Sequence, residues 1–256
     1  MITFSGKVAI VTGASSGIGR ATAVAMAENG ASVAAVARDA AALEETIAEC
    51  AHHGASAIAI ATDLTSPDGA NDIVQAAVSR FGGVDVVVNA AGIIATGATD
   101  ATDDATWDRV MDLNVRAPFR LMRAAFPYLK ERRGSVVNVS SVNGQRVFPN
   151  LAAYNTSKAA LDQLTRCAAL ELAPRGVRVN SVNPGVVQTN LHREAGLDEA
   201  AYAAFLERSK TTHPLGRVGT PGEVAELITF LASTKAGWMT GANVSIDGGR
   251  ADTCLR

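Results

Sequence analysis

The chain has 256 residues, 48% of them hydrophobic and 19% charged, which supplies enough apolar side chain for a sizeable buried core. A formal charge of −2 gives no electrostatic reason to expect nucleic acid or an anionic membrane as a partner. Cys50, Cys167 and Cys254 are too scattered for a disulfide framework, and His52, His53, His192 and His213 form no HExxH pair, so no metal site is expected.

In chain order, Lys7–Thr12, Ser32–Ala37, Ala57–Ala61, Val84–Asn89, Ser135–Ser140, Arg178–Asn183 and Asn243–Ile246 read as strands. Several are apolar almost throughout, the pattern of strands covered by helices on both faces. The intervening segments have helical length and start signals. Ser66-Pro67-Asp68 offers an N-cap, a proline and an acid, and Thr220-Pro221-Gly222-Glu223 repeats the arrangement. Strand and helix alternating from end to end predict an α/β fold: one Rossmann-type, doubly wound parallel sheet of about seven strands with helices on both faces. No linker or repeat divides it, so residues 1–256 read as a single domain. The exception is the long excursion 189–217, which carries a helical piece at 198–210 and reads as a substrate-binding lid. The short stretch before Lys7 has no charged segment or cleavage site, and no apolar run approaches bilayer length; with scattered cysteines, this points to a cytoplasmic protein.

Ligands of such sheets bind at the carboxyl ends of the strands. After the first strand comes Thr12-Gly-Ala-Ser-Ser-Gly-Ile-Gly19 and then a helical run. Gly13, Gly17 and Gly19 permit a tight turn and close backbone approach, and with Ser15, Ser16 and Ile18 they set a helix N-terminus against a pyrophosphate. The spacing GxxxGxG lacks the Lys-Ser/Thr of an ATP-binding P-loop, so a dinucleotide is favoured. The fourth strand ends in Asn89-Ala90-Ala-Gly92, where small residues let a flat ligand lie against backbone.

Tyr154-Asn-Thr-Ser-Lys158 puts a phenol and an ammonium four residues apart on one helical face. A cation there is expected to lower the phenol pKa toward the range of a working acid/base. An isolated pair of this kind is ordinary surface chemistry. Here Ser141 closes the fifth strand, and Asn114 lies in the preceding helical segment.

Together TGASSGIG, NAAG, the Asn114 of LNV, Ser141, YNTSK and Pro184-Gly185-Val-Val-Gln-Thr189 resemble the short-chain dehydrogenase/reductase family in its short cytosolic subgroup, from about Gly6 to Gly249. The one departure is Ala90, where the family more often has asparagine. The resemblance implies an NAD(P)-dependent oxidoreductase moving a hydride between nicotinamide and a carbonyl or alcohol carbon. By the same resemblance, Tyr154 is the acid/base, Ser141 binds the substrate oxygen, and Lys158 tunes the phenol and holds the ribose. Asn114 positions a water, Asp63 and Leu64 lie near the adenine, and Pro184, Gly185, Val187 and Thr189 hold the nicotinamide side.

At the end of the second strand, Ala37 stands where an acid would select NAD(H), and Arg38 follows with a guanidinium suited to a 2′-phosphate. Ser15 could add a hydrogen bond. NADP(H) is therefore favoured and NAD(H) possible, with Asp39 expected to cap the next helix. Ile94, Asn143, Val147, Val186, Leu191, Tyr202 and Phe205 are expected to line a largely apolar substrate pocket with no arginine clamp. An alternative is a 3-oxoacyl-[acyl-carrier-protein] reductase, with Arg132 and Arg175 as carrier-docking residues and Arg116, Arg120 and Arg123 on one helical face. A non-catalytic redox sensor is a further alternative. The helix at 154–172 is apolar around more than one face, and the family's packing of it suggests a homotetramer, with a dimer next.

Overall fold

The computed structural model describes residues 2–253; Cys254 and the side chain of His192 lie outside what is described. From the N-terminus, β1 (Val8–Thr12) leads into α1 (Gly17–Glu28), β2 (Ser32–Ala37) into α2 (Ala40–His52), and β3 (Ala57–Ala61) into α3 (Gly69–Phe81). β4 (Val86–Asn89) precedes α4 (Asp104–Met111), a wide π turn (Asp112–Arg116) and α5 (Ala117–Arg132), and β5 (Ser135–Val139) precedes α6 (Ala152–Leu172). β6 (Arg178–Pro184), α7 (Leu191–Glu194), α8 (Glu199–Thr212), α9 (Pro221–Ala232) and β7 (Asn243–Ile246) complete the order.

The strands form one parallel seven-stranded sheet in the order β3-β2-β1-β4-β5-β6-β7. Successive side chains of β1 feed two different cores. Ala9 and Val11 pack with Met26 of α1 and Ile228 of α9, and Ile10 packs with Ile73 of α3 and Leu121 of α5. Because both faces are covered, β1, β2 and most of β4 read as continuous apolar runs, and the buried polar side chains of β5 and β6 have hydrogen-bond partners, as in the Asn89–Asn138 pair.

Local chemistry sets the helix starts. Asp39 accepts from the Ala42 amide at 3.1 Å, and Thr220 with Glu223 forms a complete capping box. The expected start at Ser66 is one turn early. Ser66 Oγ does accept from the Gly69 amide at 3.0 Å, but the residues between them form turns, and α3 runs from Gly69. Pro118 has no N–H to give the Asn114 carbonyl four residues back, and the helix widens there into the π turn. That widening carries Asn114 to the carboxyl end of β4.

Candidate active site

Strand order reverses between β1 and β4, and a cleft of about 1400 Å³ opens there along the carboxyl edge of the sheet. Gly13 has a φ of +67°, and a Cβ there would lie 2.9 Å from the Ala91 backbone; a Cβ on Gly19 would lie 2.2 Å from the Gly13 oxygen. Glycine is thus what allows β1, β4 and α1 to converge. Thr12 locks the junction, its hydroxyl accepting from the Ala90 and Ala91 amides at 3.0 and 3.1 Å.

At α1, Ser16 makes no side-chain cap and the first turn holds no acid, whereas aspartates cap α2, α4 and α8. The first-turn amides of α1 are left to a ligand, and a cradle this close to backbone fits the pyrophosphate of a dinucleotide. Ser15, Ser16, Gly17 and Ile18 line the cleft here. Farther along lie exposed Arg38, then Asp63 and Leu64. The amide and hydroxyl of Thr65 hold the Asp63 carboxyl below the usual range. Ala90 and Gly92 line the wall, but the Asn89 side chain turns into the sheet and donates to Asn138 at 2.8 Å. Asn89 therefore ties β4 to β5 instead of facing the cleft.

At the other end, β5 and α6 bring Ser141, Tyr154 and Lys158 together, all buried and all lining the cleft. The Ser141 hydroxyl donates to Asn143 Oδ1 and accepts from the Asn143 amide, both at 3.1 Å, and lies close enough to the Tyr154 phenol to favour its ionised form. Lys158 Nζ donates to the Val139 carbonyl at 2.9 Å and sits 5.7 Å from the centre of the Tyr154 ring. The expected depression of the phenol pKa is not what this arrangement gives. Burial pushes Tyr154 up to about 12, against the opposing influence of Ser141, and burial lowers Lys158 to about 8. Desolvation acts on both groups, and for the phenol it outweighs the help a neighbouring lysine gives.

Asn114 is fully buried and does not line the cleft. Its amide exchanges two hydrogen bonds with the Ile93 backbone, each 2.9 Å, and donates to Ser157 at 3.0 Å. It thereby fixes the chain just beyond Gly92, where a Cβ would lie 3.2 Å from Asn114 Oδ1 and 3.5 Å from Lys158 Nζ.

Sequence reasoning passed over several supporting groups. Asp162, one turn past Lys158, accepts from Asn183 at 2.8 Å and Ser181 at 3.3 Å; its spacing from Lys158 was the available signal. Burial raises its carboxyl pKa despite those donors. His213 accepts from the Val186 amide at 3.1 Å through Nε2, while Nδ1 lies 2.6 Å from the Ser209 carbonyl, so the end of the excursion is tied to the Pro184-Gly185 turn. Burial lowers its pKa, keeping the acceptor nitrogen unprotonated.

Pro184, Gly185, Val187 and Thr189 line the cleft, as do Ile94, Asn143, Val186, Leu191 and Phe205. Two expected lining residues do not. Val147 points to solvent at 77% exposure, and Tyr202 is buried, its hydroxyl donating to the Thr189 carbonyl at 2.8 Å under the Arg193 guanidinium. The wall also carries Arg109, Arg208 and Arg250, which the apolar set expected from the sequence did not include.

A family model described as enoyl-(acyl carrier protein) reductase matches residues 13–251. A crystal structure of a short-chain dehydrogenase/reductase of unknown function from Caenorhabditis elegans, with cofactor, superposes with a TM-score of 0.93 at 36% identity, covering 98% of this chain and 97% of that one. The chain belongs to the short-chain dehydrogenase/reductase family. Other relatives of this dehydrogenase/reductase include the 3-oxoacyl-[acyl-carrier-protein] reductase FabG of Thermotoga maritima, 38% identical over 95% of this chain and 97% of that one. A trans-4-hydroxycyclohexanecarboxylate dehydrogenase of Sinomonas cyclohexanicum is 37% identical over 95% of this chain and 92% of its own. This family member is an NAD(P)-dependent oxidoreductase acting on CH–OH and C=O groups. Among the described residues no helix is long and apolar enough to cross a membrane.

Proposed function

We propose that this enzyme interconverts a carbonyl compound and its secondary alcohol, with Tyr154 as the group that gives or takes the proton on the substrate oxygen. The observation that carries the reading is that Tyr154, Ser141 and Lys158 are all buried and line the same end of the cleft, with Lys158 Nζ 5.7 Å from the centre of the Tyr154 ring. The bound nicotinamide supplies or accepts the hydride. Ser141 holds the substrate oxygen near the phenol. With its pKa raised, Tyr154 keeps its proton at neutral pH and is ready to deliver it to a carbonyl oxygen. Lys158 would hold the nicotinamide ribose and act on the phenol, whose ring centre is 5.7 Å from its Nζ, and Asn114 fixes the backbone at Ile93.

The glycine turn at 13–19 would hold the pyrophosphate, with Asp63, Leu64, Ala90 and Gly92 along the adenosine and Pro184, Gly185, Val187 and Thr189 at the nicotinamide. Ala37 and exposed Arg38 favour NADP(H): position 37 at the end of β2 carries no carboxylate to repel a 2′-phosphate, Asp39 is committed to capping α2, and Asp63 is held by the Thr65 amide and hydroxyl. The excursion 189–217 acts as the lid, hinged on His213 and braced by Tyr202.

The Thermotoga relative supports a second reading, reduction of a carrier-bound 3-oxoacyl group. Arg132 and Arg175 favour it less than expected. Arg132 bonds Asp85 at 3.4 Å and the Gly82 carbonyl at 2.8 Å, and Arg175 stacks on Phe126. Exposed Leu170 on α6 and Phe119 on α5 support assembly into a tetramer through those helices, and the unpaired, buried Cys50 fits a cytoplasmic setting. A spectrophotometric panel of ketones and secondary alcohols with NADPH and NADH tests the proposal. Turnover of a ketone with NADPH is expected, and none with any carbonyl compound would defeat it.

A further inference from the structure

The substrate end of the cleft gathers positive charge that the hydride-transfer reading does not use. Arg250, just past β7, stacks on the Phe148 ring at 4.7 Å and donates to the Thr212 carbonyl at 3.3 Å. Arg146 stacks on the same ring at 5.6 Å and donates to the Arg250 carbonyl at 2.8 Å. Burial first, then the charges of Arg146 and of exposed Arg208 on α8, disfavour protonation of Arg250, against the opposing charge of Asp247. Arg208, Arg250 and Phe148 all line the cleft.

Phe148 also joins this cluster to the catalytic end. Its carbonyl accepts from Asn155 at 2.8 Å, and Asn155 accepts from Asn143 at 2.7 Å, beside Ser141. Among the described residues neither Arg208 nor Arg250 makes an ion pair. The nearby acid Asp247 spends its carboxylate on the Gly249 and Ala251 amides at 3.0 and 2.7 Å. Glu194 of α7 also lines the cleft, and it too is outside any ion pair with them. Asp247 offsets part of the charge on Arg250, yet among the described residues this partly buried guanidinium, fixed by an aromatic ring and a carbonyl and facing like charges, has no ion pair of its own.

We propose that Arg208 and Arg250 form an anion subsite, and that the substrate is an oxo or hydroxy compound carrying a carboxylate or phosphate group. This rests on the oxidoreductase reading of the same cleft. Closure of α8 would bring the Arg208 fork onto that group from the lid, with Arg250 meeting it from the fixed wall. The pair would select for charge at one end of the substrate while Tyr154 and Ser141 engage the carbonyl at the other.

The test compares three ketones of one skeleton with NADPH: 4-acetylbenzoate, 4-acetylphenyl phosphate and the neutral methyl 4-acetylbenzoate. In the wild type, kcat/KM for one of the anions is expected to exceed that for the ester by about tenfold or more, mainly through KM, the reach of charge-assisted hydrogen bonds. Which anion wins distinguishes carboxylate from phosphate. Arg208→Gln should collapse the anion-to-ester ratio, and Arg208→Lys should restore part of it. Calorimetric binding of benzoate and benzamide to the protein with NADP+ reads the same subsite without turnover. Turnover of the ester with no preference for either anion overturns the subsite alone. So does an Arg208→Gln protein with the wild-type ratio, or one whose main loss is NADPH affinity, which would assign the arginines to the cofactor. Benzoate that binds better than benzamide while no ketone is reduced would retain the subsite and defeat the oxidoreductase reading.

Discussion

Replacing Gly19 by alanine tests whether the first turn is shaped for backbone approach to a cofactor. The new Cβ would lie 2.2 Å from the Gly13 carbonyl oxygen and 2.5 Å from its carbon. Both are main-chain atoms of the turn, so relief requires moving α1 away from the end of β1. Overpacking of this kind costs about 1–3 kcal/mol, or about 2–12 °C in Tm for a domain of this size. The displaced atoms are the ones that would face the pyrophosphate, and each 1.4 kcal/mol is about tenfold in affinity, so NADPH binding should weaken about 10–100-fold. Gly54→Ala is the control. Its φ of +74° strains alanine, but nothing lies within 4 Å of the new Cβ, and it is remote from the cleft. Thermal melting without cofactor and fluorescence titration with NADPH separate the two effects. A Gly19→Ala protein that binds NADPH like the wild type, whatever its Tm, would refute the reasoning.

Cofactor choice should reverse in the double variant Ala37→Asp, Arg38→Ile, which removes the guanidinium and adds a carboxylate; kcat/KM for NADPH and NADH in both proteins measures it, and a wild type preferring NADH contradicts the role given to Arg38. The pH dependence follows from the Tyr154 pKa being raised to about 12. Alcohol oxidation needs the phenolate, so its rate should climb with pH above neutrality, whereas ketone reduction needs the phenol and should not; oxidation fastest near pH 6 would count against this. Light scattering at micromolar concentration should give a tetramer, and substituting Leu170 by aspartate should shift it toward smaller species; a wild-type monomer would remove α6 as an interface.

The fold was legible because its signals are repeated and local. Apolar runs such as Val86–Asn89, the Asp39 cap and the Thr220–Glu223 capping box each state their structure within a few residues. The glycine turn was legible for the same reason. What could not be read were contacts spanning long stretches of chain. His213 meets Val186 across the whole lid, and Asn89 looked like a cleft residue until Asn138 of β5 claimed its side chain. Tyr202 had the size and polarity of a pocket residue, yet its hydroxyl serves the Thr189 carbonyl. Arg146 and Arg250 are more than a hundred residues apart, and only folding brings them to the same Phe148 ring, with Arg208 of α8 lining the cleft alongside Arg250. The phenol pKa went the other way because the i,i+4 spacing records proximity to Lys158 and says nothing of how deeply both groups are buried.

The most direct test of the central claim is Tyr154→Phe, assayed for NADPH-dependent ketone reduction and for NADPH affinity. Phenylalanine keeps the buried ring and removes only the hydroxyl. The account predicts a fall in kcat of about 10²-fold or more with the NADPH Kd little changed, since the proton donor is lost and the cofactor cradle is not. A variant that turns over at the wild-type rate would contradict it.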